Sequence, residues 1–215
     1  LVLNGFTIQT NGTIDLASAE PGEPAHGGNA ASHSVWWRWT APATGVAEID
    51  AQGKRLGVYT GDQMANLVPA DLSAAPPEWN GIALADSEKF LFMAVAGETY
   101  NIAVDSDSNY FISRSFLLTL NLETVQLVQP LVTTNLPGNT ALTLEFASLD
   151  PAQEIAWLEL LMGTNSLGFQ SNAPFQFVLT SPIGGGVSIS ARGENTTGQP
   201  IAALPVAFTF QLAND

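Results

Sequence analysis

Short segments in which apolar and polar residues alternate recur through the first 122 residues. The clearest is SVWWRWT, where Val35, Trp37 and Trp39 fall on one face of a predicted strand. Trp36 and Arg38 fall on the opposite face. Five further segments of this kind follow: GVAEID (45–50), RLGVYTG (55–61), KFLFMAVAG (89–97), TYNIAVD (99–105) and SFLLTLNL (115–122). With no convincing helix between them, these strands predict an antiparallel β-sandwich.

A second series of strand-like segments follows residue 122, with a different spacing along the chain. Its members are ALTLEFASLD (141–150), IAWLELLMG (155–163), PFQFVLT (174–180), GVSISARGE (186–194) and PVAFTFQL (205–212). Because the spacings differ, the two series indicate two domains and not a repeat. We therefore predict an all-β protein built from two tandem antiparallel β-sandwich domains, residues 1–122 and 123–215.

The segment DPAQEIAWLELLMG (150–163) fits two interpretations. As a helix, it would begin with Asp150 as the N-cap and Pro151 at the first helical position. As a strand, it would place Trp157 and Glu159 on one face and the intervening apolar residues on the other. We favour the strand, preceded by a single helical turn, because a lone long helix has no obvious place in a sandwich.

The segment ETVQLVQPL (123–131) is interpreted as the linker between the two domains. It is mostly apolar, contains Pro130 and lacks both Gly and Ser, whereas flexible linkers are rich in Gly and Ser. This composition predicts a semi-rigid connection.

The N-terminal stretch LVLNGFTIQT (1–10) is free of charged side chains and of proline, and it is strand-like. It fits two roles. It either completes its own sandwich or adds to the sheet edge of a neighbouring copy, which would propagate into a filament. Lysine often guards sheet edges against such pairing, and this chain has only Lys54 and Lys89.

Composition narrows the classes of partner. Hydrophobic residues make up 46% of the chain and charged residues 12%, so the chain can bury a core. The formal net charge of −14 disfavours binding to nucleic acids and to anionic membrane surfaces. No apolar run approaches the roughly 20 residues of a membrane span. The absence of cysteine excludes disulfides, thiolate nucleophiles and cysteine metal sites.

The tryptophan-rich strand holds the candidate ligand-binding residues. Trp37 and Trp39 are expected in the core, because large aromatic side chains are mostly buried. Trp36 could stack on a sugar ring while Arg38 hydrogen-bonds to it. The simpler interpretation is that a loop covers Trp36, and the loop that carries Trp79 is one candidate. If this strand does bind a ligand, the predicted binding residues are Trp36, Arg38 and Trp79.

Two acidic loops are candidates for binding a cation. In EPGEPAHGG (20–28), Glu20, Glu23 and His26 lie in a loop that prolines hold extended. The favoured interpretation is a rigid surface loop whose carboxylates face water.

The second loop, DSDSNY (105–110), starts like a calcium-binding EF-hand loop, with Asp105, Asp107 and Asn109 at alternate positions. It then has Tyr110 and Phe116 where that loop needs Gly and Glu. We predict no cofactor, with an irregular calcium site in DSDSNY as the alternative.

Four segments of residues 1–122 carry a family resemblance: AEPGEPAHGG, SVWWRWTAPATGVAEID, LGVYTG and AGETYNIAVD. In this order they resemble the pre-peptidase C-terminal-like domain of bacterial secreted and surface proteins. The resemblance implies a jelly-roll β-sandwich. It departs from the family at GKRL (53–56), where relatives have a Phe-Asp-Thr element, and at LSAAPPEWNG (72–81), where relatives have two aspartates. A cation-binding role for those acids does not carry over.

Residues 123–215 resemble a bacterial immunoglobulin-like module. The segments that carry this resemblance are LTLEFASLDPAQEIAWLELLMGTNSLGFQSNAPFQF and GGGVSISARGENTTGQP. Both families occur as accessory modules of exported proteins, so the resemblance implies an extracellular or cell-surface location.

No nucleophile elbow, phosphate-binding loop or zinc-ligand spacing is present in the sequence, so we predict a non-catalytic protein. The expected function is structural. The modules would build or decorate a cell-surface assembly such as a filament, sheath or adhesin stalk, with other copies or other surface proteins as partners. The alternative is a carbohydrate-binding accessory region of a secreted hydrolase, with polysaccharide as the partner. The two hypotheses differ in whether purified material self-associates or is retained on polysaccharide.

Overall fold

The computed structural model describes residues 1–70, 89–106, 114–131, 133, 135–182 and 184–212. The chain forms two compact units, Leu1–Leu122 and Glu123–Asp215. Strands dominate both units, and the described residues contain no α-helix. The prediction of an all-β sandwich protein is confirmed.

The first unit contains nine strands among its described residues. They are β1 (Val2–Leu3), β2 (Thr7–Thr13), β3 (Val35–Thr40), β4 (Gly45–Asp50), β5 (Arg55–Thr60), β6 (Val68–Pro69), β7 (Lys89–Ala94), β8 (Thr99–Asp105) and β9 (Ser115–Glu123). Residues Met64–Asn66 form a short 3-10 turn.

These strands form two sheets, in the orders β1-β3-β8-β5-β6 and β2-β9-β4-β7. Antiparallel pairing joins β2 to β9, β3 to β8, β4 to β7, and β5 to both β6 and β8. β1 runs parallel to β3 and places Val2 opposite Arg38. Residues 1–10 therefore lie in their own sandwich, which is one of the two roles expected for them.

The core of the first unit lies between the two sheets and is rich in aromatic side chains. Trp37 and Trp39 are buried, as predicted. The Trp37 ring meets Phe116 edge-to-face at 5.7 Å, and Trp39 meets Phe92 in the same way at 6.5 Å. Edge-to-face pairs of this kind add to the stabilisation that burial of the rings provides.

The second unit contains seven strands among its described residues. They are β10 (Val125–Gln129), β11 (Ala141–Ser148), β12 (Ile155–Met162), β13 (Asn165–Gln170), β14 (Phe175–Thr180), β15 (Gly185–Asn195) and β16 (Pro200–Phe210). They follow the order β13-β12-β15-β16-β10-β11-β14 in one hydrogen-bonded sheet. β10 connects its two halves, because it pairs parallel with β16 and antiparallel with β11.

The segment 150–163 forms a strand, as favoured above. β12 pairs with β13 on one side and with β15 on the other, and its inward residues Leu158 and Leu160 are buried. The helix-like start of the segment is a turn, in which Asp150 Oδ1 accepts a hydrogen bond from the Ala152 N–H at 3.0 Å. The Asp150 side chain, which could have capped a helix, therefore stabilises a turn before the strand.

The interpretation of residues 123–131 as a linker is wrong. β9 ends at Glu123 and β10 spans Val125–Gln129, so most of this segment lies in strands. Two of its apolar residues pack in the second core, where Val125 is buried and Leu127 is partly buried. The apolar pattern that we took for a stiff linker is the pattern of a paired strand.

Candidate functional site

The outer face of the five-stranded sheet contains a shallow hollow lined by small residues. Trp36 of β3 lies opposite Ala103 of β8, and Ala103 lies opposite Gly57 of β5. Tyr59 follows two residues after Gly57 on the same face. A β-carbon added at Gly57 would come within 2.5 Å of the Tyr59 hydroxyl oxygen and 2.7 Å of His26 Nδ1. The missing side chain at Gly57 thus leaves room for the imidazole of His26.

His26 fills this hollow from the loop that precedes β3. Its side chain is completely buried. His26 and Asn29 exchange backbone hydrogen bonds of 2.8 and 3.0 Å, which closes a tight turn through Gly27 and Gly28. Both glycines have positive φ angles, of 54° and 78°, a conformation that glycine adopts without strain. The paired glycines therefore let the loop fold back so that the imidazole enters the sheet face.

Four side chains share one polar network around His26. His26 Nδ1 lies 2.9 Å from the Tyr59 hydroxyl, and His26 Nε2 lies 2.8 Å from Glu23 Oε1. The Trp36 indole N–H donates to the same Glu23 oxygen at 3.0 Å. The imidazole also meets the rings of Trp36 and Tyr59 edge-on, at 5.4 and 5.7 Å. We call Glu23, His26, Trp36 and Tyr59 the clasp, since they join the loop to the strands.

Both ring nitrogens of His26 face oxygen atoms of the clasp. The Tyr59 hydroxyl donates its single hydrogen to the Ala25 carbonyl at 2.7 Å, and its oxygen lies beside His26 Nδ1. The Glu23 carboxylate, which only accepts, lies beside His26 Nε2. The imidazole is thereby held between Tyr59 and Glu23.

The clasp shifts the pKa values of its two acidic members. Burial tends to raise the pKa of Glu23, but hydrogen bonds that include those from His26 and the Glu20 N–H hold that pKa below its ordinary value. Burial, and next the negative charge of Glu23, raise the pKa of Tyr59 to about 12. Glu23 is therefore ionised and Tyr59 protonated near neutral pH.

The predicted ligand-binding residues have different environments. Trp36 is half-buried, because loop residues 23–26 cover it, and its indole N–H is used by Glu23. Arg38, two residues further along the same face, is exposed. Trp79 lies outside the described residues. Trp36 and Arg38 thus share a strand face, with the tryptophan already engaged in the clasp.

The loop EPGEPAHGG differs from the expected surface loop. Glu20 is exposed and offers its backbone N–H to Glu23 Oε2 at 2.7 Å, whereas the side chains of Glu23 and His26 are 1% and 0% exposed. The expectation that these acids face water is therefore wrong for Glu23. Its carboxylate turns inward because three hydrogen-bond donors converge on it there.

Asp105, the first residue of the second acidic loop, is buried at the end of β8. Its carboxylate accepts hydrogen bonds from the backbone N–H groups of Ser32, His33 and Ser106, at 3.2, 2.7 and 2.8 Å. Asp107 and Asn109 lie outside the described residues. Within the described ranges, no three His, Asp or Glu side chains form a group that could hold a metal ion. The described contacts give Asp105 the role of fixing the start of β3.

The sequence analysis did not identify Gly57 and Tyr59 as part of the site, nor an aromatic pair on the second unit. Gly57 and Tyr59 were noted only as part of the strand RLGVYTG, although a glycine two residues before a buried tyrosine is a signal of close packing. It also missed that Trp157 of β12 stacks on Phe169 of β13. β13 had not been predicted as a strand, so nothing in the sequence brought these two rings together.

No protein-family model and no curated protein sequence matches the chain. Among solved structures, the fibronectin(III)-like modules of Clostridium thermocellum CbhA are similar at 12% identity and a TM-score of 0.37, over 42% of this chain and 99% of that one. A DUF4785 family protein from Legionella pneumophila is similar at 14% identity and a TM-score of 0.34, over 97% of this chain and 61% of that one.

The tripod from the baseplate of bacteriophage Tuc2009 is similar at 9% identity and a TM-score of 0.23, over 99% of this chain and all of that one. At such identities these likenesses concern the fold alone.

In the described part of the chain, no helix is long and apolar enough to cross a membrane.

Proposed function

We propose that this chain is a non-catalytic structural protein of the cell surface that associates with other copies through strand β2. Its two β-sandwiches build or decorate an extracellular assembly such as a filament, sheath or stalk. The observation that carries the proposal is the composition and position of β2. The extracellular location rests on the resemblance of residues 1–122 and 123–215 to accessory modules of bacterial exported proteins.

β2 is a long edge strand without the features that protect such edges. Among the described residues it is the end strand of the sheet β2-β9-β4-β7 and pairs only with β9. Its seven residues, TIQTNGT, include no charged residue and no proline. Its register with β9 is unbroken from Thr7 opposite Asn121 to Thr13 opposite Ser115. Such a strand is a template on which another strand can pair.

On its outer side, the backbone of β2 has no partner strand among the described residues. The Ile14 N–H donates to the Arg114 carbonyl, and the Leu122 N–H donates to the Phe6 carbonyl. Even-numbered residues therefore hydrogen-bond toward β9, since the direction alternates along an antiparallel strand. The N–H and C=O groups of Thr7, Gln9, Asn11 and Thr13 consequently point away from β9.

The other edge strands of the first unit are short or charged. β1 and β6 have two residues each, and β6 contains Pro69. β7 begins at Lys89, whose ammonium group lies 2.8 Å from Glu48 Oε1. These are the ordinary ways of preventing edge pairing.

The edge strands of the second unit have six residues each. β13 has a register shift against β12 between Leu160 and Leu161. It also lies against β14, since a β-carbon added at Gly168 would be 3.5 Å from Phe177 Cδ1. β14 lacks charge and proline as β2 does, but β2 with seven residues is the longest edge strand of this kind among the described residues.

Replacing Gln9 by proline tests this proposal at one backbone atom. The substitution removes an N–H that faces away from β9, and proline is tolerated at such positions of edge strands. We expect the wild-type protein to self-associate as its concentration rises, and we expect Gln9→Pro to remain a folded monomer. Sedimentation velocity across a concentration series, with electron microscopy of the same samples, measures the difference.

Gln9→Ala is the matched control, because it removes the same side chain and keeps the backbone N–H. It should associate like the wild type. If Gln9→Pro and Gln9→Ala both associate normally, or if the wild type is monomeric at every concentration, the proposed role of β2 is wrong.

A second candidate is a carbohydrate-binding region of a secreted hydrolase that uses Trp36 and Arg38. The exposure of Arg38 beside the half-buried Trp36 ring favours it. The use of the Trp36 N–H by Glu23 weighs against it, because that donor is then not offered to a ligand.

A further inference from the structure

The second unit has an exposed face on which two aromatic rings lie among charged side chains. The register places Phe169 of β13 opposite Glu159 of β12, and Glu159 opposite Arg192 of β15. The adjacent row places Trp157 opposite Glu194. We call these five residues the aromatic face. Strands lie about 4.8 Å apart, so its three strands are about 10 Å across.

The two rings form one continuous aromatic surface. Trp157 and Phe169 stack with centroids 5.4 Å apart and planes 25° from parallel. The Phe169 side chain is 60% exposed, which is unusual for phenylalanine and leaves one side of the stack open to solvent. The Trp157 indole N–H donates to Glu194 Oε2 at 3.3 Å, which fixes the orientation of the stack.

The charged residues of the face are also held in place. Arg192 Nε–H donates to Glu159 Oε2 at 2.8 Å, while the Arg192 side chain stays 63% exposed. Hydrogen bonds from Ser166 and Arg192 lower the pKa of Glu159, so this carboxylate is ionised at neutral pH. The face therefore presents fixed acceptors and a fixed planar donor next to the rings.

We infer that the aromatic face binds a neutral polysaccharide. A pyranose ring has apolar C–H surfaces that pack on aromatic rings, and its rim carries hydroxyl groups. Those hydroxyls can donate to Glu159 and Glu194 and accept from Arg192, while the sugar ring lies on Phe169. This combination of stacking and charge-assisted hydrogen bonds gives both contact area and orientation.

The charges of the face argue against other classes of ligand. Arg192 is the only basic residue of residues 123–215, against seven acidic residues. Nucleic acids and anionic polysaccharides would meet Glu159 and Glu194 at the face and a net charge of −14 overall. An apolar protein surface would remove water from three charged side chains without replacing their hydrogen bonds, which is costly. The hydroxyl groups of a sugar, by contrast, can replace the hydrogen bonds that this water makes to the charged side chains.

Isothermal titration calorimetry with cellohexaose, chitohexaose, mannohexaose and laminarihexaose tests the inference on the whole chain. We expect at least one of these oligosaccharides to bind and Phe169→Ala to weaken that binding by at least about tenfold, as loss of a stacked ring should. Phe169 is mostly exposed, so the variant should keep its fold, and a thermal melt checks this. Val95→Ala is the matched control, since Val95 is 53% exposed and belongs to the first unit.

Three results would overturn the inference. The first is that none of the four oligosaccharides binds, even if an anionic polymer such as hyaluronate does. The second is binding that Phe169→Ala and Val95→Ala leave equally strong. The third is binding that Arg38→Ala abolishes and Phe169→Ala does not, which would place the carbohydrate site on β3. The test is independent of self-association, because it does not involve β2.

Discussion

Replacing His26 by alanine should lower the free energy of unfolding by about 3 kcal/mol or more, since a buried charged acceptor that loses its donor costs more than the roughly 1 to 3 kcal/mol of a neutral one. Both side chains of the Glu23–His26 pair are almost completely buried. Removal of the imidazole leaves an ionised carboxylate inside the protein without its His26 partner. It also leaves an empty space between Trp36 and Tyr59. Urea denaturation at neutral pH measures the change.

His33→Ala is the matched control, because His33 is the other histidine of the chain and is only partly buried. Its side chain makes one hydrogen bond in the described contacts, to Ser32 Oγ at 2.8 Å, so its loss should cost about 1 kcal/mol or less. If the two histidine variants lose equal stability, the buried contact between His26 and Glu23 does not hold the loop to the sheet.

The difference between wild type and His26→Ala should depend on pH. The folded state lowers the pKa of Glu23, so the ionised carboxylate contributes stability above its ordinary pKa of 4.5. That contribution is lost as the pH falls through the lower pKa of the folded state. The destabilisation caused by His26→Ala should therefore be fully present at pH 6 and shrink on acidification below about pH 4.

Replacing Asp105 by alanine should cost about 3 kcal/mol or more. Three backbone N–H groups donate to this carboxylate, and each buried donor left without an acceptor costs about 1 to 3 kcal/mol. The loss should loosen the start of β3, since two of these donors, Ser32 and His33, directly precede it. Asp62→Ala is the control, because Asp62 is exposed, and it should change stability by about 0.5 kcal/mol or less.

The same variant separates a structural role from calcium binding. A cation bound only to the folded state would stabilise it by mass action. We expect the cost of Asp105→Ala to be equal with calcium and with a chelator, as measured by thermal melts. A cost that appears only when calcium is present would show that Asp105 holds a cation.

The strands that the sequence predicts correctly are those with local alternation. β3 and β9 read directly from the pattern, because one face of each is more buried than the other. β13 was missed because its residues are largely exposed on both faces, so alternation is absent. β10 was taken for a linker because its apolar residues do not alternate strictly with polar ones, and one of its two partners, β16, lies more than 70 residues away in the chain.

The clasp shows a similar limit for side chains. The residues Glu23 and His26 were noted as neighbours in one loop, yet Tyr59 lies 33 residues beyond His26 in the chain. Whether their loop faces water or the sheet depends on the hollow that Gly57 and Ala103 create. That hollow exists only once β5 and β8 are paired, so the sequence alone could not distinguish the two outcomes.

Amide hydrogen exchange at Gln9 tests the central claim, association through β2, most directly. In the isolated chain the Gln9 N–H faces away from β9 and should exchange quickly, whereas the Thr10 N–H bonds toward β9 and should be protected. In concentrated, assembled protein, Gln9 should become protected while Thr10 changes little. Assembled material in which Gln9 still exchanges as quickly as in the monomer would contradict the proposal.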